Sequence, residues 1–561
     1  MKKLTRLLAL VLALVLLTGC AELTSALNGT DMVHYRDMEY TRPNMQRMEN
    51  ALNEACQLAK LENTHGNLQK LLEAIYAFYD EYNSFYTNYS LADIHTCQDL
   101  TDIYWEEEYT WCLEHTSEAE AMLEELYMAL AKSPCRNSLE SDVYFGADYF
   151  DAYEGESTYD EGFLALLDRE SQLVSQYYDL SAAALEYEYA SEDYYDSCAD
   201  GMAQLLIDLI RVRQEMAAYW GYEDYTLFAN DFYYYRDYTP EESEQYLQEI
   251  EEHLVPLYRE LEMDALEEYS SEEQTFAFVR KAAKNMGGTV AEAFRLMESA
   301  GLYDIAYGEN KYNASFEVYL TSYYEPFVFM SPELTRYDCL TLAHEFGHFC
   351  NDYACYGSYA GVDVLEIFSQ GMEYLALCYG EDTSDLTTYK MADSLCLFVE
   401  QAAFARFEQE MYRLPEDQLT PEGLYALYET TVLDYGFETV AYDPREFVTI
   451  THFYTNPMYI LSYIFSNDAA MQLYQLEQET AGAGLTLFQE NLASQQPWFL
   501  AFLEEAGLQS PFSPGRVEEI ARTFQTVLNC QKPGCKRTRV FLIRLHIPCR
   551  SLQCTYRADP G

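Results

Sequence analysis

Two histidines four residues apart, His344 and His348, constrain the fold of this 561-residue chain more than any other feature. Residues four apart share one face of an α-helix, so both imidazoles can reach one metal ion if this segment is helical. Apolar residues recur through the segment at helical spacing, at Leu340, Ala343, Phe346 and Phe349. We therefore predict a helix with Thr335 as its N-cap and Asp338 as the capping-box partner.

Glu345 is the remaining polar residue of the His-Glu-Phe-Gly-His pentad. It is rotated about 100° around the helix from His344, so it cannot easily be a further ligand in the same plane. It can instead accept a proton from water, whose pKa zinc lowers to about 7. A catalytic zinc site has three protein ligands and one open position, so a third ligand must come from elsewhere. The pentad thus predicts one Zn²⁺ ion, with Glu345 as general base.

A second predicted helix, from Asp363 to Leu377, offers two candidates for the third ligand. Its apolar face is marked by Leu365, Phe368, Met372 and Leu375. Glu366 and Glu373 are seven residues apart and point nearly the same way, so spacing alone allows either carboxylate to bind the metal.

The pentad and the second helix resemble the thimet oligopeptidase and oligoendopeptidase F family of zinc metallopeptidases. The residues that carry the resemblance are 338–348, including the glycine before the second histidine, and 364–373, including its Ser-Gln pair. The resemblance extends over residues 200–510. It implies that the zinc ligands are His344, His348 and Glu366, and it leaves Glu373 in a supporting or structural role.

A third stretch, Thr451–Tyr463, resembles the His-Phe-Tyr and tyrosine-rich stretch of oligoendopeptidase F. The resemblance implies that His452, Tyr459 and Tyr463 face the zinc and stabilise the oxyanion, an effect of about a few kcal/mol. The chain has nine histidines but 53 tyrosines, so His452 is the more specific signal. A hydrogen-bonded core histidine is the alternative interpretation of His452.

Two neighbouring segments also resemble the family, and one feature departs from it. Glu325–Met330 resembles the edge strand that pairs with a peptide substrate through backbone hydrogen bonds. Arg211–Tyr225 is similar to the Gly-Tyr segment that opens the catalytic half. Cys350 and Cys355 are the departure: they could pair, remain thiols or compete for zinc.

The N-terminus has the pattern of an export signal, with a basic head at residues 1–6 and an apolar run at 7–17. The run is too short to span a membrane, which takes about 20 residues. Leu17–Cys20 resembles the bacterial lipobox, which implies that Cys20 is lipidated and anchors the protein at the outer face of the cytoplasmic membrane, in the cell envelope. An ordinary cleaved signal that ends in cysteine is the alternative.

The formal net charge of −60 excludes some classes of partner. Such an acidic surface repels nucleic acid and anionic lipid head groups and attracts cationic peptides and divalent ions. The simpler explanation of the charge is solubility of an exported protein. Fourteen cysteines besides Cys20 could form disulfides outside the cytoplasm, in a pattern that spacing does not reveal.

The export signal, the family resemblance and a change in composition at the tail together divide the chain into five predicted parts. They are a lipoprotein signal peptide (1–20), a tether (21–34), an N-terminal helical domain (35–215), a catalytic zinc metallopeptidase domain (216–528) and a basic tail with four cysteines (529–561). The cysteine spacing in the tail fits a zinc ribbon poorly, and the role of the tail is unknown.

The resemblance implies a mainly α fold, with a deep substrate channel and a small β-sheet beside the zinc site. We expect a zinc endopeptidase that hydrolyses short, unfolded oligopeptides. The alternative is an exported peptide-binding lipoprotein with an inactive site, against which the general base Glu345 argues. Ser369, Gln370 and the stretch around His452 disfavour a thermolysin-like architecture. Carboxypeptidase or dipeptidase specificity stays open, and so does the oligomeric state.

Overall fold

A computed structural model of the protein describes residues 33–529 apart from 142–143, 156–159, 185, 262–268, 359 and 440–441. The predicted signal peptide with Cys20, most of the tether and nearly all of the basic tail lie outside the described residues. Helices dominate the described chain and a small sheet accompanies them, which confirms the predicted fold class. None of the described helices combines the length and apolar character needed to cross a membrane.

The N-terminal helices form a hydrophobic core of their own. They are α1 (Met45–Leu58), α2 (His65–Gln98), α3 (Ile103–Glu114), α4 (Thr116–Ala131) and α5 (Arg136–Leu139), followed by a 3₁₀-helix at Tyr149–Tyr153. The long helix α2 belongs to two cores. Its residues Leu71, Phe78 and Phe85 lie in the N-terminal core, whereas Ile94 and Cys97 near its end lie in a second, larger core.

The larger core is built by the helices that follow. Before the sheet these are α6 (Glu161–Ala184), α7 (Glu192–Tyr219), α8 (Tyr225–Phe232), α9 (Pro240–His253), α10 (Val255–Glu260), α11 (Glu272–Met286) and α12 (Gly288–Ala300). Both α6 and α7 contribute buried residues to this core, and α7 runs through the domain boundary predicted at residue 215. The domain boundaries stay predictions.

The sheet has three described strands, β1 (Tyr303–Asp304), β2 (Ser315–Leu320) and β3 (Glu325–Met330), in the order β1-β3-β2. Strand β3 pairs in parallel with β1 and antiparallel with β2, with Met330 opposite Ser315. The expectation that Glu325–Met330 is an edge strand is therefore wrong. Strand β1 pairs with β3 on the side that was expected to be open. The sequence did not reveal β1, because a two-residue strand leaves no periodic signal.

The remaining helices carry and surround the predicted site. They are α13 (Asp338–Cys355), α14 (Val362–Tyr379), α15 (Ser384–Met411), α16 (Pro421–Asp434), α17 (Thr451–Thr455), α18 (Ile460–Glu479), α19 (Ala483–Asn491), α20 (Phe499–Ala506) and α21 (Arg516–Asn529). Helix α13 packs against β2, β3 and α14, and α14 packs in turn against α18. The pentad, the second helix and the tyrosine-rich stretch are thus brought together.

Helix α13 begins at Asp338 rather than at the predicted cap Thr335. The carboxylate of Asp338 accepts hydrogen bonds from the backbone N–H groups of Glu333 and Thr335, each at 3.1 Å. The bond from the Thr335 N–H to Asp338 is the half of the predicted capping box that is present. The prediction of Thr335 as N-cap is wrong, because its hydroxyl makes no hydrogen bond within the described residues and the helix begins three residues later.

Gly347 allows α13 and α14 to approach closely. A Cβ atom at this position would lie 2.4 Å from the backbone oxygen of Phe368 and 2.6 Å from the Cα of Ser369. Backbone atoms at such distances cannot be moved aside as a flexible side chain can. The glycine within the pentad is therefore a packing requirement, and it brings the helix that carries Glu366 up to the histidines.

Candidate metal centre

His344, His348 and Glu366 converge at the contact between α13 and α14. One ligand atom from each lies within 4.8 Å of the other two. Oε2 of Glu366 is 3.4 Å from Nε2 of His344 and 3.8 Å from Nε2 of His348. The histidine side chains are partly accessible and the glutamate is buried. Within the described residues, no other group of three such side chains lies this close together.

Two hydroxyl groups orient the Glu366 carboxylate. The hydroxyl of Ser369, one turn along α14, donates to Oε2 over 2.8 Å. The hydroxyl of Tyr459 donates to Oε1 over 2.9 Å. The two hydroxyls together hold the carboxylate with Oε2 towards the two imidazoles.

His344 is oriented from its other side by a buried ion pair. Its Nδ1 lies 2.9 Å from Oε1 of Glu373, and Oε2 of Glu373 lies 2.8 Å from Nζ of Lys390 on α15. Burial opposes ionisation of Glu373, but the charge of Lys390 and the hydrogen bond from His344 outweigh it and lower the pKa of the carboxyl. Glu373 therefore accepts the Nδ1–H of His344, which leaves Nε2 as the ring nitrogen on the side of Glu366.

Burial shifts the ionisation of the other groups in the pentad. It raises the pKa of Glu345 to about 8, with the charge of Glu366 adding to the effect and that of His344 opposing it. It lowers the pKa of His348 to about 4. For His344, burial is outweighed by the Glu373 hydrogen bond and the Glu366 charge, and the pKa rises to about 9. Glu345 thus has a carboxyl of raised basicity beside the three converging donors.

The tyrosine-rich stretch lies against the same centre. The ring centroid of His452 is 5.5 Å from that of Tyr459 and 5.8 Å from that of Tyr463. The hydroxyl of Tyr463 lies 3.4 Å from Nε2 of His452. These three residues form one cluster, and Tyr459 links it to Glu366.

Buried side chains hold the backbone of this stretch in place. Arg213 on α7 donates to the carbonyl oxygens of Phe453, at 2.7 Å, and Tyr454. Glu408 on α15 accepts the backbone N–H of Met458 at 2.8 Å. Met458 has a φ of +67°, a conformation that is strained for a residue with a side chain. The turn before Tyr459 is therefore fixed by tertiary contacts rather than by local preference.

The structure brings the predicted ligands, general base, histidine and tyrosines into one region, while Cys20 lies outside the described residues. Cys350 and Cys355 are both free thiols, and neither belongs to the cluster of candidate ligands. The Sγ of Cys355 donates to the carbonyl oxygen of Asn351 at 2.9 Å. The spacing left open whether these two cysteines pair, and they do not.

Lys390 is the residue at this centre that the sequence did not reveal. A signal was present, because it lies in an apolar run with Tyr389, Met391 and Ala392, and a charge in such a run is seldom buried without a partner. Its partner Glu373 lies on another helix, so the sequence alone could not predict that the two residues pair.

The donor set fits a catalytic zinc ion. Two imidazole nitrogens and one carboxylate oxygen are donors of the type that zinc prefers, and three protein ligands leave a coordination position open. Partners of the ligands are also in place: Glu373 orients His344, and Tyr459 and Ser369 orient Glu366.

Comparisons with known proteins agree with the fold. Residues 35–158 match the model of the Peptidase M3 N-terminal domain. A structure of PZ peptidase A with an inhibitor is 20% identical, with a TM-score of 0.76 over 89% of this chain and 99% of that one. A protein assigned as an oligoendopeptidase F is 20% identical, with a TM-score of 0.75 over 89% of this chain and 99% of that one.

A third structure, from Bacillus anthracis strain Ames and also assigned as an oligoendopeptidase F, is 20% identical, with a TM-score of 0.72 over 90% of this chain and 99% of that one. No curated protein matches the sequence significantly. At such identities the likeness shows the fold. The fold shared with oligoendopeptidase F structures and the match to a Peptidase M3 domain together support a peptidase.

Proposed function

We propose that this chain is a zinc-dependent endopeptidase that hydrolyses short, unfolded oligopeptides outside the cytoplasmic membrane. The observation that carries the proposal is the convergence of His344, His348 and Glu366, with the carboxyl of Glu345 buried beside them. Oligopeptides as substrates are supported by the similarity to proteins assigned as oligoendopeptidase F.

His344 and His348 would hold the ion through imidazole nitrogens, and Glu366 through Oε2. When bound, zinc acts as a Lewis acid that acidifies water and polarises a peptide carbonyl. Glu345 takes up the proton of the attacking water and passes it to the nitrogen of the leaving amine.

Tyr463 and His452 would stabilise negative charge on the oxygen of the former carbonyl. A donor placed where this charge develops lowers the barrier, because it is already oriented and needs no rearrangement during the reaction. Tyr459 has a different primary partner, the Glu366 carboxylate. We therefore assign Tyr459 to ligand orientation and Tyr463 with His452 to the reacting oxygen.

The proposed location rests on the sequence of the first 20 residues. A lipid on Cys20 would tether the mature protein to the outer face of the bacterial cytoplasmic membrane. Growth with a labelled fatty acid tests this: the wild-type protein should take up label, and the Cys20→Ala variant should not. An unlabelled wild-type protein contradicts the proposed anchor without affecting the proposed chemistry.

The test of the proposed activity is mass spectrometry of a mixed peptide pool after incubation with the zinc-loaded protein that begins at Ala21. Glu345→Gln is the matched control, because it removes the base and keeps the size of the side chain. Internal cuts made by the wild type alone support an endopeptidase, whereas cuts confined to peptide ends indicate an exopeptidase. A peptide pool left intact by zinc-loaded wild type contradicts the proposal and favours a peptide-binding protein.

A further inference from the structure

Three helices contribute to one line of contacts that ends at a candidate zinc ligand. Nζ of Lys390 on α15 lies 2.8 Å from Oε2 of Glu373 on α14. Oε1 of the same carboxylate lies 2.9 Å from Nδ1 of His344 on α13. Each oxygen of Glu373 thus has one charged or polar partner, and the two partners lie on different helices.

This line of contacts is buried. Lys390 is 1% exposed and Glu373 is 5% exposed. A buried lysine in a protein interior needs a compensating charge, and removal of either member of such a pair leaves the other uncompensated. Nζ of Lys390 also lies 5.1 Å from the ring centroid of Tyr374 and 3.9 Å from a carboxylate oxygen of Asp393. Its contact with Glu373 is the closest of these, so Glu373 is the main partner of the ammonium group.

Glu373 and Glu366 lie on the same face of α14, seven residues apart, and spacing alone would allow either to bind a metal ion. The difference between them lies in their partners. Glu366 has hydroxyl donors, whereas Glu373 is engaged by an ammonium group on one oxygen and by an imidazole on the other.

We infer that Lys390 is a positioning residue: by pairing with Oε2 of Glu373 it fixes that carboxylate as the acceptor for His344 and keeps it out of the metal's ligand set. Glu366 then remains as the carboxylate ligand, and His344 presents Nε2 to the ion. The inference rests on the proposed zinc site. It explains why Glu366, and not Glu373 on the same face of α14, serves as the ligand.

The test is zinc affinity, measured by competition with a chromogenic chelator on the protein from Ala21 to Gly561. Zinc held elsewhere, for example by the cysteines near the C-terminus, is subtracted with the His344→Ala/His348→Ala variant. Lys390→Met should bind zinc about 10- to 100-fold more weakly than the wild type, the usual effect of losing a partner of a metal ligand. Lys390→Arg, which keeps the charge, should recover part of the affinity.

Lys311→Met is the matched control. Lys311 is a second buried lysine, 8% exposed, and its Nζ lies 2.7 Å from Oδ1 of Asp304. Its partners lie on neither α13 nor α14. This variant should lose stability while its zinc affinity stays at the wild-type value. A purely structural role for Lys390 would give the same result as this control.

A double-mutant cycle shows whether Lys390 acts through Glu373. In the Glu373→Gln background, Lys390→Met should have little further effect on zinc affinity, whereas independent roles would give additive effects. Cobalt substitution gives a second readout, because a carboxylate that joins or leaves the ligand set changes the visible absorption spectrum. If Lys390→Met fails to fold, Lys390→Gln replaces it, since it loses the charge and keeps a hydrogen-bond donor.

The outcomes separate this inference from the proposed function. Wild-type zinc affinity in Lys390→Met or Lys390→Gln, or additivity in the cycle, overturns the role of Lys390 and leaves the proposed function standing. A wild-type protein that binds no zinc at His344 and His348 overturns both.

Discussion

The hydroxyl of Tyr459 lies 2.9 Å from Oε1 of Glu366, and both residues are buried. This contact is the basis of our proposal that the tyrosine orients the candidate ligand. The resemblance in sequence grouped Tyr459 with Tyr463 as stabilisers of the oxyanion. In the structure the Tyr459 hydroxyl is a partner of the candidate ligand, whereas the Tyr463 hydroxyl is near His452.

The two tyrosines should therefore respond differently to loss of their hydroxyl groups. Tyr459→Phe should weaken zinc binding about 10-fold or more, because Glu366 loses a donor that fixes its orientation. Tyr463→Phe should lower kcat about 100-fold at unchanged zinc affinity. Zinc titration and peptide-hydrolysis kinetics on both variants measure the two effects. Equal losses of kcat with zinc affinity intact in both would return Tyr459 to the role that the sequence suggested.

Gly347 should not tolerate even a methyl group. Gly347→Ala places a Cβ atom against the backbone of Phe368 and Ser369, so α13 and α14 must move apart and Glu366 moves with α14. We expect a lower melting temperature and zinc affinity reduced by about 10-fold or more. Thermal unfolding with and without zinc measures both quantities.

The control for this prediction is Gly66→Ala in the first turn of α2, where a Cβ atom would meet nothing within 4 Å. Alanine stabilises an exposed helical position by up to about 1 kcal/mol relative to glycine. The control should therefore be neutral or slightly stabilising. A Gly347→Ala protein with the melting temperature and the zinc affinity of the wild type would contradict the prediction. It would show that α13 and α14 can move apart without loss of stability.

Arg213 should be needed for both stability and turnover. It is fully buried, and besides the carbonyls that follow His452 it binds Oε1 of Glu170 at 2.6 Å. Arg213→Met leaves that carboxylate without its partner and releases the end of α17. We expect a loss of about 3–5 kcal/mol in the free energy of unfolding and a reduced kcat in the protein that remains folded.

The matched control is Arg169→Met, which breaks a 2.6 Å ion pair with Glu215 on the protein surface. Both side chains are half exposed, so Arg169→Met should lower the free energy of unfolding by less than about 1 kcal/mol. Urea unfolding of the two variants gives the comparison. If the two variants lose equal stability, the buried position of Arg213 has no special importance.

Glu408 should make the stability of the protein depend on pH. It is 1% exposed, and burial raises its pKa to about 8, while its hydrogen bond from Met458 opposes the shift. A carboxyl with a raised pKa in the folded state stabilises that state fully below its unfolded pKa, about 4.5, and the contribution is lost as the pH rises through about 8. The wild type should therefore lose stability from pH 6 to pH 9, on the order of a few kcal/mol.

Glu408→Gln stays neutral and can still accept the Met458 N–H, so its unfolding free energy should fall less over the same range. Glu490→Gln, at an exposed position on α19, should follow the wild type. Urea unfolding at several pH values measures the three curves. A Glu408→Gln curve parallel to that of the wild type would mean that Glu408 is already ionised when buried.

Local spacing predicted which two helices carry the candidate ligands. Helical periodicity places His344 and His348 on one face and leaves Glu366 and Glu373 as alternatives for the third ligand, and the resemblance to the family implied Glu366. The contacts that complete the centre join residues far apart in the chain. Lys390, which follows Glu373 by 17 positions on another helix, and Arg213, which precedes Phe453 by 240, leave no periodic signal.

The errors in the predicted fold have the same origin. Strand β3 is central because two residues, Tyr303 and Asp304, pair with it, and so short a strand cannot be recognised from alternation. Thr335 had the right residue type for an N-cap, but the Asp338 carboxylate stabilises the preceding turn instead. In each case a tertiary or turn contact outweighed a valid local preference.

The 34 residues of α2 make a rod of about 50 Å. Near its C-terminal end the rod is joined to the loops around β2: Thr87 accepts the backbone N–H of Ser322, and the carbonyl oxygen of Cys97 accepts that of Tyr312. A rod held over its last third acts as a lever, and a rotation of about 5° there would displace the far end by about 3 Å. Small adjustments of the sheet beneath α13 would thus be amplified into larger movements of the N-terminal helices, and a displacement of those helices would in turn rotate α2 against the loops of the sheet.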